Sequence, residues 1–218
     1  MNGVCVGSVR LAVLAAACLA WFGLGLQLYL ILFARWHEQA SLLGGLMAFF
    51  SYFTVLSNTL VGAVLTAAIS RQRGVMAAWF RHPGVIGGVV TSIVLVGVAY
   101  SLLLRDLWAP DGWQWLANEI LHDVMPVVFA LYWLACVPKG WLRLSHLPLW
   151  ALYPTAYFVC ILIRGESLKV YPYPFVDVVR LGYWQVWINA FAVLGGFLLT
   201  GALLVLADRL IAKRNAVR

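Results

Sequence analysis

The chain has 218 residues, with 15 Lys/Arg against 8 Asp/Glu, a formal net charge of +7, 64% apolar residues and 11% charged ones. Soluble domains carry about 25% charged and roughly 45–50% apolar residues, so a soluble domain, a disordered chain and a disulfide-stapled secreted scaffold are excluded, and lipid is the solvent for most of the sequence. The basic excess fits Lys and Arg gathered in cytoplasmic loops, so nucleic acid is not an expected partner.

A helix needs about 20 mostly apolar residues to cross the hydrocarbon core. Six such runs occur. They predict an all-α polytopic membrane protein, a six-helix transmembrane bundle built as one unit over residues 1–218, with both termini cytoplasmic. The first run, Leu11–Phe33, follows Arg10, and its small residues Ala15–Ala20 imitate a signal-peptide cleavage region. It continues past Trp21, beyond the length of a signal core, which predicts an uncleaved span.

The second run, Leu46–Ile69, contains FFSYFTVLSNTL. Read as one helix, it places Thr54 roughly 12 Å below Leu46, at about 1.5 Å per residue. Ser51, Thr54 and Asn58, spaced i, i+3, i+7, then form a polar stripe on one face. Such a stripe alone is commonly structural, with hydroxyls bonding their own carbonyls and Asn joining helices. The third run, Gly84–Leu104, carries Gly97 and Tyr100, which with Gly195 and Gly196 are expected to serve close helix approach.

The fourth run, Ala117–Val137, keeps the polar stretch NEILHDVMP. It puts His122 roughly 8 Å below Ala117, in the same leaflet as Thr54. Asn118 lies one turn above and is positioned to orient the imidazole, whereas Asp123 points about 100° away. Pro126 deprives the carbonyl of His122 of its helix partner and predicts a kink. Polar groups in a span are costly and usually mark a site, so this run carries the most functional weight.

The fifth run, Pro148–Ile163, contains Pro154 and brings Tyr157, Cys160 and Arg164 toward the outer end. The loop RGESLKVYPYPFVD follows. Its Tyr171, Pro172, Tyr173, Pro174 and Phe175 read either as interfacial aromatics in a stiffened loop or as a lid over the polar layer. In the sixth run, Tyr183–Ala207, Gln185 and Asn189 stand one turn apart near the outer end, and the tail Arg209–Arg218 reads as a cytoplasmic anchor. The inner halves offer mainly Thr66, Ser92 and Thr200, which a bundle absorbs as backbone-bonded hydroxyls.

Orientation follows from the basic residues. Arg10, Arg71, Arg73, Arg81, Lys139, Arg143, Arg209, Lys213, Arg214 and Arg218 fall on the inner side, and Arg35, Arg105, Arg164, Lys169 and Arg180 on the outer, a two-to-one bias. Cys5, Cys18, Cys136 and Cys160 show no motif spacing, so no disulfide is expected and the thiols read as small packing groups.

A threonine hydroxyl is a weak nucleophile. Beside a neutral imidazole it loses its proton as it attacks an ester carbonyl, and the imidazole then protonates the leaving alkoxide. Thr54 and His122 fit those roles. Asn58 and Asn189 are oxyanion-donor candidates by depth, and Ser51, Asn118 and Gln185 complete the polar groups expected around a lipid substrate. The competing reading is a non-catalytic membrane protein that binds a lipid or small solute in this outer-leaflet pocket. A transporter needs access from both sides, which the apolar inner half lacks. A bis-His haem needs two deep ligands, and catalytic zinc needs three protein ligands. No cofactor and no metal are expected.

Taken together, Tyr52-Phe53-Thr54 with Leu56-Ser57-Asn58, Asn118 to His122 followed by Pro126, and Tyr173-Pro174-Phe175 resemble the androgen-induced family of multi-span membrane proteins over nearly the whole chain. The likeness is greatest to its bacterial Pr-six-Pr branch. The resemblance implies an intramembrane threonine hydrolase of fatty acid esters of hydroxy fatty acids, with Thr54 as nucleophile and His122 as base, in a bacterial cytoplasmic membrane. The chain departs from the family at Asp123, where relatives carry an uncharged residue.

Overall fold

The computed structural model describes residues 7–72, 74–107 and 109–216, so the roles expected of Cys5, Arg73 and Arg218 lie outside the described residues. The helices are α1 (Gly7–His37), α2 (Leu42–Phe49), α3 (Phe53–Ile69), α4 (Val75–Phe80), α5 (Pro83–Ala99), α6 (Gly112–Glu119), α7 (Met125–Cys136), α8 (Leu147–Leu168) and α9 (Val178–Ala216). No strand occurs among the described residues. A π-helical turn, Tyr100–Leu104, and a 3₁₀ turn, Arg105–Leu107, extend α5, and a second π-helical turn, Ile120–Val124, joins α6 to α7.

Five of these segments are long and apolar enough to cross a membrane: Gly7–His37, Pro83–Leu107, Gly112–Cys136, Leu144–Leu168 and Val178–Ala216. The sixth is the pair α2 and α3, which meet at 74°. The protein is an all-α polytopic bundle. Its helices run several residues past the apolar cores at most ends, because capping and helix propensity act beyond the hydrophobic run. The basic tail is part of α9 as far as Ala216.

The bend between α2 and α3 corrects the expectation of one straight span over Leu46–Ile69. Ser51 and Tyr52 sit in the break, with Tyr52 extended at φ −89°, ψ 126°. The backbone freed there is taken up locally and by a distant helix. The Ser51 hydroxyl donates to Met47 O at 2.5 Å, and the Tyr157 hydroxyl of α8 donates to Ser51 O at 2.7 Å. Ser51 is therefore not on the helix face shared by Thr54 and Asn58, and Thr54 stands in the first turn of α3 rather than deep in a helix.

The expected break at Pro126 also takes another form. The span accommodates the missing donor by the π-helical turn immediately before it, where Met125 N bonds Ile120 O. Single π-helical turns of this kind recur at functional sites. Gly182 bends the start of α9 with φ 72° and ψ 159°, which a side chain would strain, so the membrane part of that helix begins at Tyr183.

Helix α5 is the centre of the bundle, contacting α3, α7, α8 and α9, while α1 lies along α3, α6 and α7. Its core-facing residues include Val89, Val90, Ile93 and Val96, all buried. The end that holds the first turn of α1 is basic and tightly tied. Arg81 donates to the carbonyls of Ala67, in the last turn of α3, and of Ser70 just beyond it, and buried Asp208 accepts from Gly140 N and Leu142 N at 2.9 Å each. Thr66, Ser92 and Thr200 bond the carbonyls of Gly62, Gly88 and Gly196, as expected of a polar-poor half. Cys18 and Cys160 are exposed on the bundle surface rather than packed inside it. Gly97 does serve close approach, but a Cβ at Gly195 would meet nothing and one at Gly196 only Leu95 at 3.8 Å.

Candidate functional site

The opposite end of the bundle collects the polar residues. The first turn of α3 begins at Phe53, so the amides there have no helical partner, and the N-cap residue Tyr52 supplies no side-chain acceptor. Thr54 therefore presents a hydroxyl and an open backbone N–H side by side. Across from it, the π-helical turn of the fourth span aims His122 inward, and Thr54 Oγ1 lies 3.2 Å from His122 Nε2.

The other ring nitrogen settles the polarity of that contact. His122 Nδ1 is 3.1 Å from Asn118 O, a carbonyl that can only accept, so Nδ1 carries the proton and Nε2 offers its lone pair to the threonine hydroxyl. Asn118, one turn above, thus orients the imidazole through its backbone oxygen. Its side chain donates to the Tyr100 hydroxyl at 2.6 Å. The Tyr100 ring stacks on the imidazole, centroids 4.3 Å apart and planes inclined by 26°. The Arg105 guanidinium lies 4.8 Å from the Tyr100 centroid and pairs with Asp123.

Tyr100 is the residue that sequence reasoning misplaced, as a packing group. Its signal was a lone hydroxyl at the outer end of an apolar run, which needs a partner when buried. Asp123 pairs with Arg105, at the end of the third span, and makes no hydrogen bond to Thr54 or the His122 ring.

The loop between α8 and α9 closes the site from above. Tyr173 is buried, and its hydroxyl is 3.4 Å from both Thr54 Oγ1 and Thr54 N. Burial pushes the phenol up from its ordinary range, so it stays protonated. Phe175 stacks on it at 5.2 Å and Tyr52 meets it edge-on at 5.8 Å. Tyr171 packs so closely over Gly165 that a Cβ there would fall 2.0 Å from its ring. Pro172 and Pro174 lie within the same covering segment, Pro174 opening a 3₁₀ turn over Pro174–Val176.

The remaining candidates are committed elsewhere. Asn58 donates to Thr54 O at 2.9 Å and Leu121 O at 3.0 Å, locking α3 to the span that carries His122. Asn189 donates to Phe175 O at 2.9 Å, and Gln185 donates to Asn189 at 3.0 Å. Both of these hold the loop down. Ser51 is consumed by the α2–α3 break. Of the candidates for oxyanion donors or substrate contacts, Asn58, Asn118, Asn189, Gln185 and Ser51 thus each make a hydrogen bond within the protein, and both amide protons of Asn58 are used.

A cavity of about 180 Å³ opens beside the Thr–His pair. Its walls are Leu95, Val96 and Ala99 of α5, Tyr157 and Phe158 of α8, Trp187 and Phe191 of α9, with Tyr173, Phe175 and Val176 as its roof. The lining is almost wholly apolar, and two of its residues on α9, Trp187 and Phe191, are also exposed on the bundle surface. Among the described residues no three His, Cys, Asp or Glu side chains come together to hold a metal ion.

Fold and site define a polytopic membrane protein with a threonine–histidine pair, the threonine buried and the histidine partly so, beside an apolar cavity. No protein-family model, curated protein or solved structure matches the chain.

Proposed function

We propose that the protein is an intramembrane hydrolase that cleaves a lipid ester, with Thr54 as nucleophile and His122 as general base, as the resemblance to the androgen-induced family implies. The observation that carries this reading is the 3.2 Å contact between Thr54 Oγ1 and His122 Nε2, with Nδ1 tied to a carbonyl and the hydroxyl facing an apolar cavity. A structural threonine bonds its own helix carbonyl, as Thr59 and Thr66 do, whereas Thr54 sits in a first turn and bonds an imidazole.

In this mechanism Thr54 Oγ attacks the ester carbonyl carbon while its proton passes to His122 Nε2. The bond to the leaving alcohol breaks, and His122 returns that proton to the alkoxide. Water, deprotonated by His122, then attacks the acyl-threonine, releases the fatty acid and restores the hydroxyl. The transient imidazolium is steadied by Asn118 O and by the π face of Tyr100. The acyl chain lies in the cavity, entering from the bilayer between α8 and α9. Arg105 and Asp123, both partly exposed, mark the edge from which water arrives.

The test is labelling of the purified protein with an alkyl fluorophosphonate and location of the adduct by mass spectrometry. An adduct on Thr54, absent from Thr54→Ala and His122→Ala while both variants stay monodisperse, is the expected result. Unlabelled wild-type protein, or full hydrolysis of long-chain esters by either variant, refutes the mechanism. Because the two residues act as a unit, the double variant loses little more than the worse single one.

A further inference from the structure

We propose that Tyr173, carried in by the covering loop, is a catalytic residue whose phenolic O–H, together with the Thr54 backbone N–H, binds the oxyanion formed when Thr54 attacks the carbonyl. This inference rests on the hydrolase reading above. Both amide protons of Asn58 are given to carbonyls, and Asn118 and Asn189 are held toward Tyr100 and Phe175, whereas the Tyr173 hydroxyl and the Thr54 amide lie directly at the nucleophile.

The hydrogen bonds around Thr54 run in one direction. The Thr54 hydroxyl gives its proton toward His122 Nε2, so in the Tyr173–Thr54 side-chain contact the phenol is the donor and Thr54 Oγ1 the acceptor. The Thr54 amide in turn donates to the Tyr173 oxygen. The Tyr173 oxygen thus lies 3.4 Å from the Thr54 hydroxyl, to which it donates, and 3.4 Å from the Thr54 amide, from which it accepts, both separations longer than an ordinary bond of about 2.7–3.0 Å. A carbonyl oxygen arriving with the carbon at Thr54 Oγ1 enters between the phenol and the amide. The phenolic proton turns from Thr54 Oγ1 to that oxygen by rotation about its own C–O bond, and the amide exchanges the phenol for the oxyanion.

No proton moves from Tyr173, and the charge that develops on the substrate oxygen is met by two preorganised dipoles in an apolar, roofed cavity, where such donors are most effective. The loop also makes the arrangement conditional. Tyr173 holds this position only while Asn189 retains Phe175 O and Tyr171 rests on Gly165. The oxyanion site is then complete only when the roof is closed over the substrate, which keeps water out during acylation.

The experiment measures kcat and KM of wild type, Thr54→Ala and Tyr173→Phe on p-nitrophenyl decanoate and ethyl decanoate in detergent micelles. Tyr173→Phe keeps the ring against Tyr52 and Phe175. It is expected to lose about 10²–10³-fold in kcat on both esters, the usual effect of removing one oxyanion donor, with KM within about threefold. A loss confined to the ethyl ester identifies a leaving-group acid and overturns the oxyanion role. Wild-type kcat in Tyr173→Phe, beside an inactive Thr54→Ala, overturns this assignment alone. An inert wild type, or a fully active Thr54→Ala, overturns the hydrolase reading and this assignment with it. If Tyr173→Phe lowers the unfolding temperature by more than a few degrees, 3-fluorotyrosine at position 173 decides. That side chain keeps the shape and strengthens the donor, so a changed kcat supports the role and an unchanged one overturns it.

Discussion

Replacing Gly97 by alanine tests whether the site depends on how closely α5 approaches the turn that carries His122. A Cβ at Gly97 would lie 3.1 Å from Pro126 Cβ, 3.2 Å from His122 O and 3.2 Å from Pro126 Cγ. Carbon atoms rest at about 3.5–4.0 Å, so the added methyl demands roughly 0.4 Å of movement, and its neighbours are a backbone oxygen and a proline ring that cannot swing aside. The movement therefore falls on the backbone that holds the imidazole. A misplacement of about 1 Å at a reacting pair costs on the order of 10²-fold, so about 0.4 Å should cost roughly five- to tenfold in kcat/KM. Stability falls by up to about 2 kcal/mol. Overpacking costs about 1–3 kcal/mol, and Gly to Ala within a helix returns about 0.5–1 kcal/mol. Gly195→Ala is the control, since its Cβ meets nothing within 4 Å. The assay is hydrolysis of p-nitrophenyl decanoate alongside thermal unfolding in detergent. Wild-type kcat/KM in Gly97→Ala, or an equal loss in Gly195→Ala, refutes the reasoning.

Asn189→Leu removes the bond to Phe175 O, and the covering loop should then be cut faster by added protease between residues 169 and 177, with ester hydrolysis falling about tenfold, while the helices resist cleavage as before. Unchanged cleavage shows that the loop is held by other contacts. Asp208→Ala leaves the Gly140 and Leu142 amides without their acceptor and should cost about 1–3 kcal/mol per orphaned group, seen as a lowered unfolding temperature. Because this staple lies at the far end of the bundle, fluorophosphonate labelling of Thr54 below that temperature should proceed at the wild-type rate.

The spans were legible because hydrocarbon thickness leaves its length in the sequence, and Thr54 and His122 stood out because a polar group in an apolar run has to be explained. Their meeting was readable only as a shared depth. The bend at Ser51 and Tyr52 was hidden, since no Pro or Gly marks it and what stabilises it is the hydroxyl of Tyr157, more than a hundred residues later. The partners of Asn58 and Asn189 were hidden for a related reason. Depth places a side chain in a layer but says nothing of which carbonyl reaches it first. Tyr173 was assigned to a roof, and its contact with Thr54 depends on the loop path set by Gly165, Asn189 and the bend at Gly182.

The irregular backbone explains why one end of the bundle is chemically different from the other. In hydrocarbon every backbone polar group has to be satisfied, so departures from a helix survive only where they are buried in protein or line a cavity. The α2–α3 break and the two π-helical turns bear on the same site: Thr54 follows the break in the first turn of α3, and Tyr100 and His122 lie in the turns. In an unbroken second span, Thr54 N–H would bond the carbonyl of Phe50 four residues earlier, and the hydroxyl would stand beside a spent donor. The break ends one helix at Phe49 and begins the next at Phe53, which frees that amide while Asn58 fastens Thr54 O to the facing span. Moving the break by even one turn would leave a hydroxyl near an imidazole with no amide directed at the oxygen it creates.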